Sequence, residues 1–362
     1  MNIKTKILLF IALAAVVATA AWFVISQKQE VTTPEAFAPQ SQDTLHTAPA
    51  TIAEVVTAPV HKNSYELYTV YPVELFDKTK LVFVSISDRY AFNDHPDSLN
   101  IPAKAFKGKK AGEAPHIPLQ GIYRQRLLAG IGAKESDSLF VYNYDKDVLK
   151  VYPISILKTS AVINAYSSED EDVEQYYYQI GFELPLSVFD KSGDYNNLVY
   201  IGTENIFAEG QVKPIYWADT GSKNLPTHHC KHQAEIDKLK SKNSSVFEAT
   251  QNGFHYYLQD GTYDLHINGY TDLSVRHLLI LDAQDKVVTD LYIEQSEGSS
   301  LAPLNQFSDT PDKTYLSQYS GKLFKNKPPI ILGLEYVSFG CETIEFLSQD
   351  EPSLYINCDN RH

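Results

Sequence analysis

Short apolar stretches separated by polar turns dominate the chain after residue 64. They are rich in Val, Ile, Tyr and Phe, the residues that favour strands, and helical periodicity is scarce. The clearest stretches are residues 81–87, 140–144, 148–152, 278–281 and 287–293. This pattern predicts a mostly β protein whose strands are mainly antiparallel.

Three β-hairpins are predicted from neighbouring apolar stretches. The first turns at residues 145–147 and the third at residues 283–286. The second is predicted to turn at Gln259, Asp260 and Gly261, because Asp-Gly is strongly favoured in tight turns.

A faint internal duplication runs through the same region. Three blocks recur in the same order, with the gaps falling in polar loops, and each copy closes on a cluster that contains Cys and His. The paired blocks are 121–130 with 261–269, 138–154 with 277–293, and 199–206 with 330–337, and the closing clusters are 228–232 and 357–362. Self-similarity in a fixed order indicates that one domain type occurs twice.

We therefore predict two tandem, related domains, residues 64–233 and 246–362, each with about seven strands. Each would be an antiparallel β-sandwich or open barrel. A β-propeller is disfavoured, because the period is much longer than a single blade.

The N-terminus predicts export. Lys4 and Lys6 precede an uncharged run, residues 7–25, which is about long enough to cross a bilayer as a transmembrane helix. We expect residues 1–25 to be a signal-anchor; a signal peptide cleaved after the small residues 18–20 is the alternative. The two lysines keep the N-terminus cytoplasmic, so the expected location is a bacterial inner membrane, single-pass, with the C-terminal body in the periplasm.

Residues 26–63 have the composition of a tether. Four prolines stand among Thr, Ala, Gln and Val, with very few aromatic residues. Such a segment cannot bury enough apolar surface to offset its ordering entropy, so we expect a disordered spacer.

The charge balance excludes some partners. The chain has 31 basic and 45 acidic residues and a net charge of -14, without a basic cluster. Binding to nucleic acid or to anionic lipid headgroups is therefore not expected. The acidic run at residues 167–174 favours a solvated loop; a calcium loop is the alternative, but the run lacks the turn glycine and the alternating ligands.

Three cysteines are present. Cys341 and Cys358 flank the turn signal at residues 348–352, so hairpin geometry and an oxidising compartment would allow a disulfide. Cys230 is then left over, within the closing cluster of the first copy. In an extended chain, His228, Cys230 and His232 point to one face, and two imidazoles with a thiolate suit zinc or copper. The alternative is an inter-domain loop of solvated polar residues.

Catalytic signatures are absent, including metalloprotease, nucleophile-elbow, phosphate-loop and dinucleotide-binding motifs. Glu204 and Glu335 occupy matching places in the two copies, each two residues after a glycine, and are candidate acid/base groups. Tyr177 and Tyr256 lie in runs of tyrosines and are candidate anchors for a partner, if their rings face solvent.

These features favour a binding protein over an enzyme. We expect a membrane-anchored periplasmic protein that binds a protein partner of the cell envelope, either as an immunity protein that neutralises an effector or as an accessory subunit of an envelope complex. The alternative is a periplasmic hydrolase of peptidoglycan or carbohydrate, with carboxylates in an inter-domain cleft. A metal chaperone centred on Cys230 is a third hypothesis.

Overall fold

Strands make up most of the regular structure in the computed structural model of the chain. It describes residues 65–89, 100–189, 196–221, 225–226, 232, 240–267, 270–306 and 316–359. The predicted anchor, residues 1–25, and the predicted tether, residues 26–63, lie outside this part of the chain. Within it, no helix is both long enough and apolar enough to cross a membrane.

The described strands are numbered in chain order. They are β1 (Leu67–Tyr68), β2 (Tyr71–Glu74), β3 (Lys80–Ser85), β4 (His116–Pro118), β5 (Ser138–Asn143), β6 (Val148–Pro153), β7 (Lys158–Ile163), β8 (Tyr178–Leu184), β9 (Asn197–Gly202), β10 (Val212–Pro214), β11 (Ala218–Asp219), β12 (Lys240–Gln251), β13 (Phe254–Ile267), β14 (Tyr270–Leu281), β15 (Val287–Glu294), β16 (Ser299–Leu301), β17 (Tyr319–Gly321), β18 (Ile330–Leu332), β19 (Glu335–Val337), β20 (Thr343–Phe346) and β21 (Leu354–Asn357).

Helices are few in the described ranges. The two α-helices are α1 (Ala103–Phe106) and α2 (Ile122–Gly130), against 47% of the described residues in strands. Four single-turn 3-10 helices are Ala111–Glu113, Ile154–Ile156, Gln175–Tyr177 and Leu186–Val188. The prediction of a mostly β protein is therefore confirmed.

The strands form open sheets. The largest has nine strands in the order β10-β17-β18-β20-β21-β1-β9-β5-β6. A first five-stranded sheet has the order β2-β3-β8-β7-β4, a second has the order β11-β12-β13-β14-β15, and β16 pairs with β19. Pairing between the described strands is antiparallel except for β1 with β21, which is parallel.

The nine-stranded sheet curls around a core of its own. Phe140 and Tyr142 of β5 face this core together with Ile330 of β18, although four strands separate β5 from β18. The curl brings Tyr144, just beyond β5, against Tyr319 of β17 with ring centroids 5.1 Å apart. Residues on one face of a sheet can surround a shared core only when the sheet bends, so this layer is a curled, open sheet.

Each five-stranded sheet covers one part of the outer face of the curled sheet. Leu139 and Val141 of β5 pack outward into a core with the first five-stranded sheet. Ile331 of β18 packs outward against Tyr256 and Leu278 of the second. Because successive side chains alternate between two buried faces, β5 and β18 read as continuous apolar runs.

Strands from both predicted domain ranges, residues 64–233 and 246–362, take part in the curled sheet. The duplicated hairpin is present twice, as β5–β6 and as β14–β15. The third duplicated block is placed differently: β9 pairs with β5, whereas β18 pairs with β17 and β20. The tandem relation of the two halves stays a prediction.

The first and third predicted hairpins are confirmed, and the second is wrong. Residues Phe254–Ile267 form one continuous strand, β13, through the Asp-Gly pair. Asp260 binds Arg276 of the neighbouring β14 through two hydrogen bonds of 2.8 and 2.7 Å. The Tyr263 ring lies over Gly261, where a Cβ atom would come within 2.6 Å of it. These tertiary contacts stabilise Asp260 and Gly261 within a strand and outweigh their preference for a turn.

Candidate functional site

A groove with a volume of about 350 Å³ opens between β15, β18, β19 and β20. Its floor is apolar, formed by Leu291, Ile331 and Leu334 among others, and belongs to the core beneath the second five-stranded sheet. Four carboxylates line it: Glu294, Glu335, Glu342 and Glu345. We call this feature the glutamate groove. Its volume lies at the lower end of the range for small-ligand sites.

The turn between β18 and β19 places Glu335 at the groove. Buried Arg276 donates a hydrogen bond of 2.6 Å to the Leu334 carbonyl oxygen and another of 2.9 Å to that of Ala302. Gln318 donates one of 2.8 Å to the Gly333 carbonyl oxygen. These hydrogen bonds hold the carbonyl groups of the two residues that precede Glu335. The backbone position of the half-buried Glu335 is therefore fixed.

Glu342 enters the groove from beside a disulfide. Cys341 and Cys358 are bonded, with Cα atoms 5.6 Å apart, as the hairpin argument predicted. They close the open end of the β20–β21 hairpin, and the Glu342 carbonyl oxygen accepts the Ile356 N–H at 3.0 Å. The covalent link therefore fixes the backbone on which Glu342 stands.

Glu342 is electrostatically unusual. Burial of its carboxyl group raises its pKa, and the nearby charge of Glu335 raises the pKa further. Glu342 is exposed as a whole residue, and it lines the groove. Burial, together with the charges of Glu342 and Asp145, also raises the pKa of Tyr144. The carboxyl group of Glu342 therefore keeps its proton to a higher pH than an ordinary Glu side chain does.

The negative charge of the groove has no Lys or Arg partner in the described part of the chain. Among the described residues, none of its four carboxylates forms an ion pair with a Lys or Arg side chain. Glu345 accepts hydrogen bonds from Ser353 at 2.6 Å and from Thr343 at 3.4 Å, both from neutral hydroxyl groups. The arrangement is suited to a cationic ligand, because a bound positive charge would relieve the mutual repulsion.

Glu204 lies elsewhere. It is exposed in the loop after β9, where its charge contributes to raising the pKa of Tyr200. Three strands separate β9 from β18 in the curled sheet, about 19 Å at the usual strand spacing. Glu335 lines the glutamate groove and Glu204 is not among its lining residues; a catalytic role for the two matched glutamates stays a prediction.

The candidate binding tyrosines differ in exposure. Tyr256 is 0% exposed, packs against Trp217 and shares a 2.8 Å hydrogen bond with Ser320. The ring of Tyr256 does not face solvent, because β13 turns Tyr256 toward the core of the second five-stranded sheet. Tyr177 is half-buried against the core of the first five-stranded sheet, and its binding role stays a prediction.

The predicted metal cluster is described at one position only. His228 and Cys230 lie outside the described residues. His232 is half-buried, and its ring stacks on Tyr292 with centroids 5.6 Å apart and lies 6.2 Å from the ring of His277. A zinc or copper site built from the three sequence neighbours stays a prediction.

A second group of metal-type donors surrounds the disulfide. A carboxylate oxygen of Asp88 and the sulfurs of Cys341 and Cys358 lie within 4.8 Å of one another. Both sulfurs are bonded to each other, so they offer no thiolate to an ion. Asp88 instead accepts the backbone N–H groups of Cys358 at 3.0 Å and Asp359 at 2.7 Å, and thereby ties the chain after β3 to the chain after β21.

Sequence reasoning missed Glu294, Glu342 and Glu345. None of the three lies in a duplicated block, so the internal repeat did not single them out. They come together only through the packing of β15 against β20. The weak signal was the density of acidic residues near the disulfide hairpin.

No family model matches the chain, and neither a curated protein nor a solved structure shows significant similarity to it.

Proposed function

We propose that the chain is a membrane-anchored envelope protein that binds a protein partner, and that the glutamate groove receives a basic segment of that partner. The observation that carries the proposal is the set of four groove carboxylates without a described counterion. A Lys or Arg side chain placed there would form charge-assisted hydrogen bonds over an apolar floor. The net charge of -14 would steer a cationic partner toward the protein.

The anchoring half of the proposal is supported by the sequence. Residues 7–25 would hold the protein in the inner membrane, and residues 26–63 would let the β-rich body, built from two related halves, reach its partner in the periplasm. The partner is either an effector that the protein neutralises or a component of an envelope complex. A basic active-site loop of an effector and a basic docking segment of a subunit would both fit the groove.

The test is capture of the partner from envelope extract by the full-length chain, followed by measurement of the affinity of the identified partner. In the groove variant, Glu294, Glu335, Glu342 and Glu345 become Gln. In the control variant, the same number of carboxylates is removed from exposed positions elsewhere, by the substitutions E169Q, D170N, E174Q and E248Q. We expect the groove variant to bind at least about tenfold more weakly, the loss of about 1.4 kcal/mol or more. We expect the control to bind as the wild type does.

Salt dependence gives a second criterion. Binding through the groove should weaken as ionic strength rises, and the groove variant should lose most of that dependence. Equal losses in the groove and control variants would refute the groove as the binding site and leave only general electrostatic attraction.

One observation favours a second function. A carboxyl group with a raised pKa beside a second carboxyl group is the pairing that glycoside hydrolases use, with the first as general acid. Glu342 and Glu335 have this relation in the glutamate groove. The second candidate is therefore a periplasmic hydrolase of peptidoglycan or carbohydrate in which Glu342 acts as the acid.

Incubation with peptidoglycan or oligosaccharides decides between the two functions. A hydrolase would lose at least about 100-fold in rate in E342Q and in E335Q, the range that general acid–base groups contribute. The matched control is E204Q, because Glu204 lies outside the groove. Absence of turnover by the wild type, together with salt-sensitive partner binding, would exclude the hydrolase.

A further inference from the structure

A buried His–Asp pair lies on the second five-stranded sheet, away from the glutamate groove. His277 of β14 and Asp290 of β15 each have a side chain only 1% exposed, and Nε2 of His277 lies 2.7 Å from Oδ1 of Asp290. Leu278 faces the core beneath this sheet, so its neighbour His277 faces the opposite side. An ionised carboxylate only accepts hydrogen bonds, so Nε2 carries the proton and donates it to Asp290.

The second ring nitrogen of His277 is left unsatisfied. Nδ1 is fully buried and has no hydrogen-bond partner among the described residues. With the proton on Nε2, the Nδ1 atom of a neutral ring presents a lone pair. A buried acceptor without a partner costs free energy, so it indicates a ligand for that lone pair.

A second imidazole stands beside it. The His232 ring is nearly perpendicular to that of His277, at 88°, with centroids 6.2 Å apart, and it is held by stacking on Tyr292. Two imidazoles that share a tetrahedral zinc ion, with Zn–N bonds of about 2.0–2.1 Å, have centroids roughly 5 Å apart. A small rotation of the half-buried His232 would close the difference.

We infer that His277 and His232 bind a divalent transition-metal ion, zinc in the first place, with Asp290 supporting His277 from behind. Imidazole nitrogens select zinc, copper and nickel over calcium and magnesium, which prefer oxygen ligands. A carboxylate that accepts the other ring N–H is the usual support of a metal-binding histidine, because it fixes the tautomer and makes the ligand nitrogen more basic. Two imidazoles leave two positions of a tetrahedral ion for water or for further donors.

His116 provides a matched comparison. Its Nε2 atom also lies 2.7 Å from a carboxylate, Oε1 of Glu183, in the first five-stranded sheet. That pair is 29% and 18% exposed, so water reaches it, and no ring contact with a second imidazole is present among the described residues. His116 therefore has the carboxylate without the rest of the proposed site.

Zinc titration of the metal-free full-length chain, against a chromophoric chelator, tests the inference. We expect H277Q and H232A each to weaken zinc binding at least about tenfold, and D290N by about 10- to 100-fold, as is usual for the group behind a metal ligand. H116Q should bind zinc as tightly as the wild type does. Cobalt substituted for zinc should give the visible absorption of a four-coordinate site in the wild type and lose it in H277Q.

Equal zinc affinity in the wild type, H277Q, H232A and H116Q would overturn the inference and leave a structural His–Asp pair. Substitution of buried His277 can also disturb folding, which circular dichroism would reveal. H232A then decides, because the half-buried His232 side chain can be truncated with little effect on the core. Unchanged zinc binding in a folded H232A variant would be sufficient to reject the proposed pair of ligands.

Discussion

Gly333 and Ser317 approach so closely that no side chain fits between them. A Cβ atom on Gly333 would lie 1.8 Å from the carbonyl oxygen of Ser317, and Gly333 has a φ of 79°, in the left-handed region. This contact sets the turn between β18 and β19, and with it the position of Glu335 at the edge of the glutamate groove.

We expect G333A to destabilise the protein by about 3 kcal/mol, the sum of a left-handed backbone penalty and a steric one. The control is G253A, because Gly253 has the same φ of 79° but open space around its Cβ position. G253A should cost only the backbone part, about 1–2 kcal/mol. Urea unfolding measures both. Equal losses would mean that the contact with Ser317 relaxes freely.

The buried Arg276 supports the same turn. Its guanidinium pairs with Asp260 and also satisfies the carbonyl oxygens of Ala302 and Leu334. We expect R276A to cost about 3–5 kcal/mol in unfolding free energy, because it leaves a carboxylate and two carbonyls without their partner. R276K keeps the charge but loses the planar fork, so its loss should be smaller yet clear. A loss below about 1 kcal/mol in R276A would show that water replaces the guanidinium.

Local pattern predicted the class of fold and the hairpins β5–β6 and β14–β15, because alternation and turn residues act over a few positions. The local pattern gave the wrong prediction at Asp260 and Gly261. Contacts with Arg276 and Tyr263 stabilise a strand there, although the Asp-Gly pair favours a turn. The same limit applies to the site. Glu335 was selected because of its place in the duplication, whereas Glu342 and Glu294 join it only through the packing of separate strands. His277 carried no sequence signal, since its partners His232 and Asp290 lie at unrelated spacings.

The Cys341–Cys358 disulfide should stabilise the protein measurably. It closes a loop across a sequence separation of 17 residues. The chain-entropy estimate for a loop of this length is about 3 kcal/mol. We expect the double variant C341S/C358S to lose that amount in urea unfolding, and the wild type to lose a similar amount under reducing conditions. Reductant should leave the double variant unchanged, and a further loss there would locate the redox effect at a different cysteine.

The raised pKa of Glu342 gives a pH dependence of defined sign. Because its pKa in the folded state lies above the ordinary value of 4.5, the folded protein holds this proton more tightly than the unfolded chain does. The contribution of Glu342 to stability is therefore fully present below pH 4.5 and is lost as the pH rises through the folded-state pKa. Replacement by Gln keeps the neutral form at every pH. E342Q should consequently be more stable than the wild type at pH 7, and the two should converge toward pH 4.

Thermal unfolding of both proteins across this pH range measures the difference. The control is E204Q, because Glu204 is exposed, and its stability relative to the wild type should not change in the same window. E335Q adds a further criterion: removal of the Glu335 charge lowers the pKa of Glu342, so the loss of stability should shift to lower pH. If E342Q were less stable than the wild type at pH 7, the ionised Glu342 would be a stabilising group, and its assignment as the desolvated carboxyl of the groove would be wrong.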